Sequence, residues 1–219
     1  PVRAIAVTDL VTTTYGLVRT TPEALTLAAD PTPDQLFDGA GVVTRTVTLP
    51  VGTTRYHVRT ENSSAPDLDL FVYADGLVDP PDGELQDDEL ICVSATSSNE
   101  EWCDITLTNG AALTAPLTLQ VVLQNYEGSN AATDSFDLYS GVVGTTAAGN
   151  LTVGGPETSP SGASFNLTFT YNVTGAKKED IYIGLLRVAS APATPVNLGY
   201  TLVDVVFDPY NQYLPLIRR

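Results

Sequence analysis

The sequence predicts an all-β fold: an antiparallel jelly-roll-like β-sandwich followed by a second, smaller Ig-like β-sandwich. Three observations carry that prediction. Apolar residues recur at alternate positions in short runs, as in Leu117, Leu119, Val121 and Leu123, and again in Phe165, Leu167, Phe169, Tyr171 and Val173. That is the period of a half-buried strand. The chain is rich in Thr and Val, with 17 Gly and 15 Pro to turn it between strands, a mixture suited to short strands and tight turns. No segment carries a helical period, and the connections are short, which favours antiparallel sandwiches over βαβ units. At 219 residues the chain is long enough for a sizeable core. Two units are expected, residues 1–143 and 150–219, with the Gly-rich stretch Gly141–Gly149 between them.

Taken in order, the opening segment offers apolar runs at Ala4–Val7, Leu10–Val11 and Tyr15–Val18, then a short strand at Ala24–Ala28. Residues 1–41 are expected to attach to the first unit. Asp30-Pro31-Thr32-Pro33-Asp34 is a loop, because two prolines remove two ladder donors. Val42–Leu49 alternates, with Val43, Val47 and Leu49 inward. After the turn Pro50–Thr54, Tyr56 and Val58 point inward while Arg55, His57 and Arg59 point outward together. Asp67–Tyr73 is a strand bounded by turn residues, with Leu68, Leu70 and Val72 on one face and Asp67, Asp69 and Phe71 on the other. Asp79–Glu89 is the most acidic stretch and reads as a loop. Leu90–Ser94 and Cys103–Leu107 read as paired strands, and Ser135–Tyr139 closes the unit. In the second unit Ile181–Val188 is apolar on both faces and so central, and Val203, Val205 and Phe207 face inward from the last strand.

The formal net charge is −16, and residues 1–146 hold 21 acidic against 5 basic residues while residues 147–219 hold 5 of each. An acidic first unit repels nucleic acid and anionic lipid, so neither is an expected partner. It suits cation binding or a salty environment, and also plain solubility. No stretch is long and apolar enough for a helical membrane span. There is no Met and no signal peptide, so the chain reads as a processed or excised piece. Cys92 and Cys103, the only cysteines, flank a polar loop and are expected to form a disulfide, which implies an oxidising compartment and hence secretion.

The two aspartates of Asp67-Leu68-Asp69-Leu70 repel each other unless a cation sits between them or water solvates both. Calcium is the expected cation, held by oxygen ligands from the strand and the following loop: Asp67, Asp69, Asp75, Asp82, Asp87 and Asp88. An EF-hand is excluded, because counting from Val78 puts Gly83 sixth and Glu89 twelfth but Val78 and Pro80 at the first and third positions.

The order of alternating strand, Pro-Val-Gly-Thr-Thr turn, aromatic strand, Asp-Leu-Asp-Leu-Phe-Val-Tyr, polar hairpin and Leu-Gln-Val-Val-Leu-Gln-Asn-Tyr resembles the prepeptidase C-terminal (PPC) type domain. Such domains follow bacterial subtilisin-like serine proteases and some metalloproteases. The resemblance covers residues 42–140, with Asp67–Tyr73 its most specific element and Gln120–Tyr126 in support. Leu151–Phe207 resembles the short sandwich tail that often ends such proteases. The resemblance implies an extracellular sandwich, sometimes calcium-bound, with Asp67 and Asp69 at the motif positions. Its partners would be the parent protease catalytic domain or an insoluble protein or polysaccharide substrate. The sequence departs from the family in the long acidic loop and in Cys92, Trp102 and Cys103.

No catalytic set is expected. His57 is the only histidine, no Gly-x-Ser-x-Gly elbow accompanies it, and it reads as a surface residue. Paired carboxylates of the glycosidase kind would flank an aromatic cleft, whereas these cluster in one loop. Trp102, the only tryptophan, sits at a hairpin tip, where it either stacks on a sugar or peptide or covers the neighbouring disulfide. Asn62, Asn150, Asn166 and Asn172 begin Asn-x-Ser/Thr sequons. The tail Pro209–Arg219 ends apolar and basic; it either packs on its own sandwich or adds to a neighbour's sheet edge. Three functions follow: a non-catalytic accessory region of a secreted protease, a filament or surface-layer subunit assembling by β-strand exchange, or a carbohydrate-binding module resting on Trp102.

Overall fold

Strands dominate the computed structural model, which describes residues 2–3, 5–75, 85–107, 110–146, 148–194, 196–207 and 216–218. They are β1 (Val2–Arg3), β2 (Val11–Arg19), β3 (Thr21–Leu27), β4 (Val42–Leu49), β5 (Thr53–Glu61), β6 (Asp67–Tyr73), β7 (Leu90–Ser94) and β8 (Trp102–Thr106). Then follow β9 (Leu117–Glu127), β10 (Asp134–Gly144), β11 (Leu151–Gly154), β12 (Ser164–Phe165), β13 (Thr168–Tyr171), β14 (Ile181–Ala189), β15 (Gly199–Val206) and β16 (Leu216–Arg218). Helical structure among the described residues is confined to 3₁₀ turns, as at Asp87–Glu89. The predicted all-β class is therefore observed, and every strand pairing among the described residues is antiparallel. No helix among the described residues is long and apolar enough to cross a membrane.

Two four-stranded sheets, ordered β4-β9-β6-β7 and β3-β10-β5-β8, face each other across one core. The first contributes Leu49, Leu68, Leu70, Val72, Leu119, Val121 and Leu123, the second Tyr56, Val58, Cys103, Phe136 and Leu138. These are the residues that the period-two pattern turns inward. Burying each large apolar side chain contributes roughly 1.5–3 kcal/mol, so the alternation fixes both register and facing.

The Cys92–Cys103 disulfide forms, with Cα atoms 6.1 Å apart, but not within a hairpin. β7 pairs with β6 and β8 with β5, so the bond staples one sheet to the other. The expected pairing of Leu90–Ser94 with Cys103–Leu107 is thus corrected. The loop between them crosses the open end of the sandwich. Buried Glu101 holds it there, accepting from the Thr96 amide at 3.1 Å and from the Ser94 and Thr96 hydroxyls.

A third sheet, β16-β15-β14-β2, lies against the outward face of β3-β10-β5-β8. β14 is flanked by β15 and β2, so it is central in its sheet, and each of its faces is apolar because each packs against another layer. Ile181 and Ile183 pack with Val143 on one side. Tyr182, Leu186 and Val188 pack on the other, with Leu151 of β11 and, from the β13 region, Phe169 and Tyr171. The predicted strand through residues 165–173 is interrupted: β12 pairs with β1, and β13 with β11.

Three local expectations change. Residues 21–27 join the first sandwich as foreseen, but residues 11–19 pair with β14. The Gly-rich stretch from Gly141 begins inside β10, where a Cβ on Gly141 would lie 2.9 Å from Ile183 Cδ1. That glycine serves close approach of two sheets before any connector starts. Finally, Arg55 and His57 are fully buried, not solvent-facing. Their outward face is covered by the third sheet, which the strand pattern of β5 alone cannot announce.

Candidate functional site

The outer face of β6 and β9 is roofed by the loop between β3 and β4. Both ends of that loop are pinned to one residue of β9: the Asp30 amide donates to the Asn125 carbonyl at 2.9 Å, and the Asn125 amide donates to the Gly41 carbonyl at 2.9 Å. Buried Asp30 accepts from the Thr32 amide at 2.8 Å and from Gln124 Nε2 at 2.7 Å, and Gln124 Nε2 also donates to the Pro33 carbonyl at 2.9 Å. Gly41 has φ +61°, and a Cβ there would sit 2.3 Å from Asp30 Cα. Only glycine closes the loop this way. Phe37 then lies edge-on to Tyr73, with ring centroids 5.9 Å apart.

Between loop and sheet runs a groove of about 770 Å³. Asp34, Asp38, Asp69 and Asp87 line it together with the rings of Phe37, Phe71, Tyr73 and Tyr126, and no Lys or Arg does. Asp69 is only 7% exposed, and it makes no hydrogen bond or ion pair among the described residues. Burial, and after it the neighbouring carboxylates Asp67 and Glu101, push its carboxyl up to about 6. Asp67 is raised as well, by burial and then by Glu101 and Glu127, and its Oδ1 is buried without a partner. Tyr73 is raised by burial and then by Asp87. On the loop side the Thr32 hydroxyl and the Ala40 amide hold Asp38 below the ordinary carboxylate range.

Of the predicted calcium ligands, the fold brings Asp69 and Asp87 to one groove, with Asp67 next to Asp69 on the strand's outer face. Asp75 is buried just past the end of β6, Asp88 is exposed within the 3₁₀ turn, and Asp82 lies outside the described residues. Among the described residues, no three carboxylate, histidine or cysteine side chains converge so as to hold a metal ion. Trp102 opens β8, opposite Arg59, and is 46% exposed, so it is a strand residue and not a hairpin tip. The sequence pattern missed Asp34, Phe37, Asp38 and Tyr126. Asp30–Asp34 reads correctly as a loop, but nothing in its composition says which face it covers.

His57 lies in a separate buried cluster. Its Nδ1 is 2.9 Å from Asp104 Oδ1, which also accepts from Arg55 Nε at 2.7 Å. Arg55 Nη2 is 2.7 Å from Asp204 Oδ1, and Nη1 donates to the carbonyls of Gly184 at 2.9 Å and Val203 at 3.3 Å. Burial works against ionisation of Asp104, but the His57 hydrogen bond and the Arg55 charge outweigh it and hold the carboxyl below its usual range. This cluster is sealed between sheets and binds them together. Two sequons are also structural: Asn150 donates to and accepts from the Leu17 backbone at 2.8 and 2.7 Å, and Asn62 donates to Asp137 at 2.9 Å.

The fold and groove define an all-β protein of stacked antiparallel sheets, stapled by one disulfide, with an acidic and aromatic surface groove. No protein-family model matches the chain, and no curated protein matches it. The disulfide points to an oxidising environment.

Proposed function

We propose that the chain is a non-catalytic, secreted accessory module of the PPC type, which serves a parent protease by holding a ligand in the groove over β6 and β9. One observation carries this reading: the Asp67–Tyr73 strand, on which the family resemblance rests, is the floor of that groove. The parent catalytic domain or an insoluble protein substrate is the partner. Retention of the purified chain on insoluble protein and on polysaccharide tests it. The expected result is retention on protein that falls at least tenfold when Phe71 and Tyr126 are both changed to Ala. Retention that ignores those changes refutes the groove as the binding site, and retention on polysaccharide lost with Trp102→Ala transfers the function to the exposed tryptophan.

A second reading, a filament or surface-layer subunit assembling by strand exchange, is favoured by β16, a three-residue strand added to the edge of β15. A strand that docks on its own sheet can dock on a neighbour's. Oligomers that grow with concentration and vanish when residues 216–219 are removed would establish it, and a monomer at high concentration would end it.

A further inference from the structure

We infer that the groove over β6 and β9 receives a basic side chain, the guanidinium or ammonium group of a peptide ligand, instead of a bare metal ion. The inference rests on the groove being the binding site proposed above.

Asp69 is an anion more than nine-tenths buried, and no described group compensates it. A buried charge without a partner is costly and persists where something else supplies the partner. The lining carries three further carboxylates and no cation, so the missing group is positive. A hard divalent ion does not fit this lining. Calcium takes about 6–8 oxygen ligands at close range, whereas the described acidic groups do not converge in threes. The rest of the wall is the four aromatic rings, the apolar Pro33, Leu36 and Leu90, and the amides of Gln35 and Gln124. The rings and aliphatic groups give a metal ion no ligand, but they suit an organic cation, which is attracted to aromatic rings. Arg and Lys side chains also bring an apolar stem behind the charged head. That shape, a hydrocarbon body with a positive tip, matches a groove of aromatic rings and carboxylates with one carboxylate buried at its floor. The volume of about 770 Å³ has room for the side chain and its flanking backbone.

The probe is a blocked Ala-Arg-Ala peptide, titrated calorimetrically into the intact chain at neutral pH and low salt. The controls are the same peptide with citrulline for arginine, tetramethylammonium chloride and calcium chloride. The arginine peptide is expected to bind at least tenfold more tightly than the citrulline peptide and than tetramethylammonium. Asp69→Asn is expected to weaken it at least tenfold while the melting temperature holds or rises, which a merely structural residue would not do. Tyr126→Leu, at the groove wall, provides a second variant and is expected to weaken binding without unfolding. Equal binding of arginine and citrulline peptides overturns the inference, as does a response to calcium with none to the peptide. If groove-dependent retention on insoluble protein survives while the arginine peptide fails to compete, the inference falls and the binding module stands. If both fail, both fall.

Discussion

Replacing Asp69 with Asn should stabilise the protein, and by an amount that depends on pH in a stated direction. The carboxyl titrates near 6 in the fold against 3.8 when exposed. Two pH units at about 1.4 kcal/mol each set a ceiling near 3 kcal/mol. The groove is open on one side, so solvent screening reduces this to roughly 1–2 kcal/mol. The native state holds the proton more tightly than the unfolded chain. Between about pH 4 and pH 6 it therefore binds more protons, and wild-type stability falls as pH rises through that window. Above it the full penalty is present; below it the two proteins converge. The carboxylates Asp67 and Glu101 face Asp69 in both proteins, so the pH-dependent difference reads Asp69 together with its coupling to those two. Urea unfolding followed by circular dichroism from acid to neutral pH reads the difference, and thermal melts should show a gain of roughly 2–8 °C at neutral pH for a chain of this size. A variant less stable than wild type at neutral pH, or a gap that is the same at low pH as at neutral pH, would refute the argument that Asp69 is an uncompensated buried charge.

Other perturbations have equally definite outcomes. Arg55→Met leaves Asp104 and Asp204 facing each other between sheets without their cation, and should cost about 3–5 kcal/mol in urea unfolding; a loss below about 1 kcal/mol would mean that the cluster adds little to sheet cohesion. Gly41→Ala forces a Cβ to within 2.3 Å of Asp30 Cα, so it should cost roughly 1–3 kcal/mol and weaken groove binding together with stability. Reduction of Cys92–Cys103, which closes a short loop across the sandwich end, should lower stability by about 2–3 kcal/mol in the chain-entropy account, read as a shift of the urea midpoint with and without reductant.

How much of this was legible beforehand follows from what a strand pattern encodes. Alternation within β4, β6 and β9 states which side chains meet the nearest core, so Leu68, Leu70, Leu119 and Leu123 were readable as inward. It also paired Asp67 with Asp69 on the opposite face. The pattern says nothing about what covers that opposite face. Arg55 and His57 look solvent-exposed in β5 because their burial is imposed by β14 and β15, more than a hundred residues later. Gln124 reads as an outer polar residue because its partners, Asp30 and Pro33, come from a loop far upstream. The disulfide was readable from two cysteines flanking one polar loop, but its bridging of two sheets was not, since a polar loop of that length serves a hairpin and a crossover equally well.

The switch at Thr20, where the chain leaves β2 for β3 and the amide and hydroxyl both donate to the Ile181 carbonyl, bears on how the molecule can be divided. Residues 150–219 expressed alone would lack β2 and bare one long side of β14, whose unsatisfied amides and carbonyls invite pairing with other chains. Residues 21–144 alone would keep both facing sheets but present Arg55, His57 and Val143 to water. A protease that nicks near residue 146 leaves β2 on one piece and its partner β14 on the other, so the two pieces should stay associated until denatured.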